Sequence, residues 1–393
     1  MKYFPLIWAA LRRRKARTLL TAFSIATAFF LFGALKGINT GIAQMEKLLD
    51  IPALLVMSRV RMDAPLPLAH AARIRAIPGV TAVSPMTALV GTYQSPTNVL
   101  VVIGMDLPAL LAMSPDMKVA PEQVAAVERT RSGVIVGESM MKARGWKVGD
   151  RIPLHAFSIN GISGTKKDGS SDWVFDIVGT YTLSQPDWAT RILANYDYIN
   201  EALGEAGHNQ TIGFQVGITD SSKSAKISQA IDDEFANSPD QTRTQNLKEF
   251  MDSVLRQVGD INFLFNGIVG AVLFTLLFLT ANTMSQSVRE RTGELAVLKT
   301  LGFTDGIVQW LVIVEALVLS LVAAAAGLLL ASWELPRATN TALLQSQGIG
   351  AMHVPGSVFG YGLAIAALLA LLSGLPPAQR ARRLSIVAAL SGR

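Results

Sequence analysis

Cysteine is absent from the sequence. Disulfides, thiolate zinc sites and iron–sulfur clusters go with it, so any part of the chain outside the cytoplasm folds without covalent staples. Charge is scarce: Lys, Arg, Asp and Glu make up 16% of the 393 residues, against about 25% in an ordinary soluble domain. Half the residues are hydrophobic, and the two figures together point to lipid contact. The four histidines, His70, His155, His208 and His353, have no second His or carboxylate beside them at metal-ligand spacing. No G-x-x-x-x-G-K-S/T loop occurs, and the string from Gly161 to Lys167 lacks its spacing. The G-x-S-x-G nucleophile pattern is missing. Ser139-Met140-Met141-Lys142 fits S-x-x-K, but its S-D-N and K-T-G companions are missing. The sequence thus offers no catalytic constellation and no cofactor bound by this chain directly.

Long apolar runs are what the chain has in abundance. A membrane helix needs roughly 20 mostly apolar residues, and residues 18–35, 261–287, 306–332 and 355–375 qualify. Arg12, Arg13, Arg14, Lys15 and Arg17 precede the first run, and no small-x-small cleavage pattern follows it, so it reads as an uncleaved anchor. Phe4, Ile7, Trp8 and Leu11 repeat at helical spacing beside that basic cluster, which suits either an interfacial helix or a continuation of the span. Lys and Arg near the span ends set orientation. The N-terminal cluster, then Arg289, Arg291 and Lys299, then Arg380, Arg382, Arg383 and Arg393 place both termini and the middle loop in the cytoplasm. The formal charge of +6 is explained by these flanks and by membrane lipid, without nucleic acid.

The expected division is a cytoplasmic or interfacial helix (1–16), a first span (17–38), an external region with stalks (39–257) and a second span (258–284). A cytoplasmic loop helix (285–305), a third span (306–333), a short external loop (334–354), a fourth span (355–376) and a cytoplasmic tail (377–393) complete it. In the external region, 54–58, 99–103, 133–136, 151–155, 174–181, 191–195 and 212–219 read as strands, and 68–77, 138–144, 198–203 and 224–235 as helices. Residues 114–131 read as a polar, acidic linker, and 160–172 as an exposed loop. The strand-helix pattern resumes after the middle portion, which predicts a split α+β unit with an insertion. Leu247, Phe250, Met251, Val254, Leu255 and Val258 form a helical stripe, which predicts a stalk running directly into the second span.

The loop SQSVRERTGELAVLKTLG crowds Arg289, Glu290, Arg291 and Glu294 at one end of a helix and sets Leu295, Leu298 and Leu301 on an apolar side. Such a helix either docks another protein or is a solvated loop. Glu315, about 14 Å into the third run at 1.5 Å per residue, must face protein or water. It serves either as a polar contact coupling helix movement to the cytoplasmic side or as a hydrogen bond fixing helix packing; a lone acid makes a poor proton path, which favours packing.

At these residues the chain resembles the FtsX-like/MacB-type ABC transporter permease family, to which the LolC and LolE membrane subunits belong. The likeness is carried by Arg289-Glu290-Arg291-x-x-Glu294, Leu298-Lys299-x-Leu301-Gly302, Glu315, and Pro377-Ala378-x-Arg380-Ala381-x-Arg383, with residues 77–85 and 134–152 resembling the family's periplasmic domain. The resemblance implies an α-helical membrane protein with four transmembrane helices plus a large α+β periplasmic domain, a porter-like subdomain with a β-rich one inserted at about 132–204. It implies a bacterial inner membrane location, a second permease copy (homo- or heterodimer), and two copies of an ABC ATPase subunit that bind ATP and Mg. Arg289, Glu290, Arg291, Glu294, Leu298 and Leu301 would form the coupling helix, and Glu315 an intramembrane polar contact. About 17 residues precede the first run, so the ATPase is expected on another chain. The resemblance leaves room for a periplasmic membrane-fusion adaptor and an outer-membrane channel. Export or extraction by mechanotransmission is the leading expectation; the alternative is a regulatory complex activating a periplasmic hydrolase or sensor.

Overall fold

The structure, a computed structural model, describes residues 15–48, 51–61, 64–158, 164–205, 207–257, 260–341, 344 and 349–384. The N-terminal interfacial stripe, residues 160–163 of the 160–172 loop, Val258 of the stalk stripe and Arg393 lie outside these residues. In chain order the first elements are α1 (Lys15–Leu48), β1 (Ala53–Ser58), β2 (Leu66–Pro67), α2 (His70–Arg75), β3 (Val80–Tyr93), β4 (Ser95–Met105), α3 (Leu107–Met113), β5 (Lys118–Val119) and α4 (Pro121–Arg129). Next come β6 (Gly133–Gly137), α5 (Glu138–Arg144), β7 (Arg151–Phe157), β8 (Asp172–Thr182), β9 (Ile192–Asn195), α6 (Tyr196–Ala202), β10 (Gln210–Thr211), β11 (Gly213–Ile218) and α7 (Ser224–Glu234). The chain continues through β12 (Thr242–Asn246), α8 (Leu247–Gln257), α9 (Ile261–Glu290), α10 (Thr292–Thr300), α11 (Asp305–Thr339) and α12 (Gly356–Arg382). These fall into two compact units, one of residues 1–42, 260–336 and 352–393 and one of residues 43–259 and 337–351.

Among the described residues, the first unit holds four helices long and apolar enough to cross a membrane. Its core is built by Ile25, Phe29 and Phe32 of α1, Leu276 of α9, Ala324 and Leu328 of α11 and Ala366 of α12. Small residues bring α1 and α11 together: a Cβ on Gly327 would fall inside contact distance of the Ala26 carbonyl oxygen, so only glycine fits there. Each helix outruns its apolar run. α12 passes through Pro376 and Pro377, which cannot donate to the helix ladder; burial of Ala378 and Ala381 against Val308 and Val312 holds its last turn in place.

The second unit is an α/β body around one ten-stranded sheet, in the order β12-β1-β11-β3-β4-β9-β6-β8-β5, with β7 pairing β3 and β8. The strands β12, β1, β11 and β3 are antiparallel neighbours. With α2 and α7 they make a βαββαβ unit in spatial order 4-1-3-2, the ferredoxin-like split βαβ arrangement. Leu54, Val56, Val83, Phe214 and Val216 pack there against Ile74, Ile227, Ile231 and Phe235. Asp232 of α7 binds the edge strand, accepting from Thr242 Oγ1 at 3.0 Å, Thr244 Oγ1 at 2.7 Å and Thr244 N at 3.1 Å.

The inserted portion closes on itself. Strands β3-β4-β9-β6-β8-β7 pair in sequence, and β7 returns to β3 through Val90↔Phe157 and Thr92↔His155. Closure removes the sheet edges that would otherwise need protection. Alternate residues fill the interior: Leu100 and Val102, Val134 and Val136, Ile152 and Leu154, and Trp173, Phe175 and Ile177. Trp173 is fully buried and donates Nε1–H to the Gly164 carbonyl at 2.8 Å. The outer face at Met105, Ile135, Tyr181 and Leu193 is covered by Leu107, Leu110 and Val127 of α3 and α4.

Several expectations differ from what is observed. The barrel takes two strands from residues 86–105, ahead of the expected insertion point near 132, because β3 pairs with β11 through one half and with β4 and β7 through the other. The linker at 114–131 contains α4, whose Val127 is buried. The stalk does not run on as one helix: α8 is described as far as Gln257, and Asp260, extended with ψ 90°, starts α9 as its N-cap, accepting from Phe263 N at 2.9 Å. The loop helix is also shorter than 285–305, since residues up to Glu290 continue α9.

Candidate functional site

The connection between α9 and α11 is built from two breaks around a short helix. Arg291, with φ −110° and ψ 14°, ends α9 and begins α10. Thr292 Oγ1 secures the bend by donating to the Arg289 carbonyl at 2.8 Å. At the other end Gly302 adopts φ +96°, which a side chain would oppose. Its N–H donates to Lys299 O at 3.1 Å and Phe303 N–H donates to Leu298 O at 3.1 Å, the paired bonds of a Schellman ending.

The helix so delimited has one buried and one open side. Leu295 is buried with Val288, Val308, Val312, Ala378 and Ala381, and Leu298 packs against the same cluster. On the open side lie Glu294, Val297 and, just past the helix end, Leu301, with Val297 46% and Leu301 71% exposed; Arg289, in the last turn of α9, is exposed as well. Val297 and Leu301 stand one helical turn apart there, so α10 presents an apolar pair outward.

Ion pairs fasten the connection to its neighbours. Arg291 Nη1 lies 2.8 Å from Glu315 Oε2 of α11, and its Nε lies 3.5 Å from Glu294 Oε2. Glu315 is 8% exposed. From α1, Arg17 Nη1 reaches Glu290 Oε2 at 2.7 Å and its Nη2 donates to Ser287 Oγ at 3.1 Å. Lys299 Nζ reaches Asp305 Oδ1 at 2.8 Å. The seven residues singled out in the sequence therefore occupy three situations. Arg289 and Leu301 are open, Leu298 faces inward, and Glu290, Arg291, Glu294 and Glu315 take part in ion pairs. Sequence reasoning missed Arg17 and Ser287 as partners and Val297 on the open side. In the sequence Arg17 signals only orientation, and Val297 stands one helical turn from Leu301, which is the available signal.

Elsewhere the chemistry is structural. Lys142 pairs with Glu138 at 2.7 Å, not with Ser139. His155 sits on Asp172 at 2.7 Å, and His208 Nδ1 lies 2.9 Å from Asn200 O. Among the described residues no three His, Cys, Asp or Glu side chains gather as a metal site. His70 is buried and stacked on Phe235 at 4.1 Å, and burial, the main cause, lowers its pKa below the ordinary histidine value. Burial likewise pushes the Tyr181 phenol up to about 12, even though its oxygen accepts from Arg191 N at 3.0 Å.

Comparison with known proteins matches two families. Residues 18–233, more than half of the chain, match the MacB-like periplasmic core domain, and residues 266–386 match the FtsX-like permease C-terminal family. No curated protein matches in sequence. Similar solved structures include the periplasmic region of MacB from Actinobacillus actinomycetemcomitans, 12% identical with a TM-score of 0.37 over 52% of this chain and 92% of that one. Another is the extracellular domain of the noncanonic ABC-type transporter YknZ from Gram-positive bacteria, 8% identical with a TM-score of 0.33 over 49% of this chain and all of that one.

Proposed function

The chain belongs to the family of FtsX-like permeases with a MacB-like periplasmic core domain, and on that premise we propose that it couples ATP hydrolysis by a separate ABC ATPase subunit to movement of its external unit. The reading is supported above all by one observation. The short helix α10 exposes Val297 and Leu301 with Glu294, while Arg291 ties its start to α11 and Arg17 of α1 pairs with Glu290 at the end of α9 just before it. A helix with an open apolar patch and a fastened base can receive a push and pass it on. ATP-driven closure of the ATPase dimer would displace α10 in each of two permease copies, and α1 and α9, which continue toward β1 and α8 in the chain, would carry the displacement outward. The chain supplies no P-loop, so ATP and Mg reside in the partner.

Purification of the full chain in mild detergent with native lipid tests the reading: a P-loop ATPase is the expected companion, and repeated failure to capture one removes it. With the complex in hand, Glu294→Lys or Leu301→Asp is expected to leave the chain folded and to lose the companion or uncouple its ATPase activity. Normal coupling in both variants would place the docking surface elsewhere.

A further inference from the structure

Lys299 lies on the inward side of α10, and its side chain is only 5% exposed. An ammonium buried to that extent needs an acceptor for each of its three N–H bonds. Lys299 has three: the Arg382 carbonyl at 2.8 Å, the Leu384 carbonyl at 3.0 Å and Asp305 Oδ1 at 2.8 Å. The first belongs to the last turn of α12, where carbonyls lack intrahelical partners and the helix dipole favours a cation. The second lies just past that end, and the third opens α11. One side chain therefore closes the end of the fourth long helix, touches the start of the third, and belongs to neither.

We propose that Lys299 is a positioning residue that clamps the docking helix α10 to the cytoplasmic end of α12, so that a displacement of α10 carries the fourth span with it. The proposal rests on the docking reading of α10 but concerns a different surface, its inward side. The apolar contacts of Leu295 and Leu298 with Ala378 and Ala381 fill the same interface. Such contacts are non-directional and permit sliding, whereas three hydrogen bonds from one buried group fix a register.

The chain has no cysteine, so a spin-label pair at Thr300→Cys and Gln379→Cys in the full chain, reconstituted in lipid nanodiscs, reports the distance between α10 and α12 without background. One narrow distance distribution is expected with Lys299, and its loss, as a broadened or split distribution, with Lys299→Met. An unchanged distribution overturns the clamp. If Lys299→Met gives no monodisperse preparation, Asp305→Ala carries the test. It deletes one of three acceptors, and the distribution is expected to broaden; no change overturns the proposal. With the captured ATPase added, the Lys299 protein should keep the same α10–α12 distance in the nucleotide-free and vanadate-trapped states, and Lys299→Met should not. A lysine with a purely structural role would leave those two states alike in the variant. The chain-alone measurement needs no ATPase, so its result stands or falls independently of whether a partner is captured.

Discussion

Breaking the Arg291–Glu315 pair should destabilise the membrane unit in an asymmetric way. The two side chains are 21% and 11% exposed and 2.8 Å apart. Removing one member of a buried pair costs about 3–5 kcal/mol, because the other is left buried and unpaired. The residual exposure argues for the lower end, about 3 kcal/mol, which is roughly a 100-fold change in the folded-to-unfolded ratio. Arg291→Met leaves Glu315 stranded inside the helix packing and should cost that much. Glu315→Leu should cost less, because Arg291 already lies 3.5 Å from Glu294 and can complete that contact at the surface. The double variant Arg291→Met/Glu315→Leu should recover most of the loss, since apolar replacement of both partners is often close to neutral. Equilibrium unfolding of the purified full chain in mixed micelles, followed by helicity, supplies the double-mutant cycle. Single variants that each cost less than about 1 kcal/mol, the range of a surface ion pair, or a double variant equal to their sum, would refute the reasoning.

Gly327→Leu should separate α1 from α11, because even a Cβ there meets the Ala26 carbonyl; a lower thermal midpoint and lower yield in detergent are expected, and a wild-type midpoint would show that the helices are not in close contact. Acidification should loosen the ferredoxin-like half through His70. Its folded pKa lies below the ordinary value, so the unfolded chain takes up the proton first. Its contribution is complete above about pH 6.5 and falls by at most about 1.4 kcal/mol per pH unit as pH drops through the folded pKa. His70→Phe keeps the ring stack on Phe235, so its melting temperature should fall less between pH 7.5 and 5.5 than that of the parent; an equal fall would exclude His70. Met57 and Arg243 are direct partners on β1 and β12, and a disulfide between Met57→Cys and Arg243→Cys should leave the ATPase activity of the assembled complex unchanged, whereas inhibition would mean that these strands part during the cycle.

Local sequence carried the features that local physics decides. The helix Glu138–Arg144 was read to the residue, since Gly137 and Gly145 bracket it and Met140 and Met141 mark its buried side. The four apolar runs were likewise unmistakable. What escaped is what depends on distant parts of the chain. Strand Val80–Tyr93 alternates poorly in sequence because one half is covered by α2 and the other lines a barrel, and Pro85 and Gly91 interrupt its pattern. Barrel closure rests on β7 returning to β3, a pairing of segments about 60 residues apart that no periodicity announces. At the candidate site the sequence identified the charged cluster but not its division of labour. Arg289 and Arg291 look alike in the sequence, and only the bend at Arg291 turns one toward Glu315 and leaves the other in water.

The topology of the external unit limits what kind of motion it can transmit. The first membrane-spanning helix leads into β1, and β12 leads into the helix preceding the second. These two strands are antiparallel neighbours paired from Leu54↔Asn246 to Ser58↔Thr242, so they run about 4.8 Å apart. Drawing them apart would break a five-residue ladder and the Asp232 bonds to Thr242 and Thr244. The barrel cannot hinge freely either, because β3 runs uninterrupted from the ferredoxin-like sheet into the barrel wall. For the coupling proposed above, this pairing predicts that a displacement arriving through the two connecting helices would tilt or shift the unit as a body instead of opening it between its halves. In a dimer such tilting would change the spacing between two external units, and that spacing, more than any cleft inside one unit, is what the proposed power stroke would set.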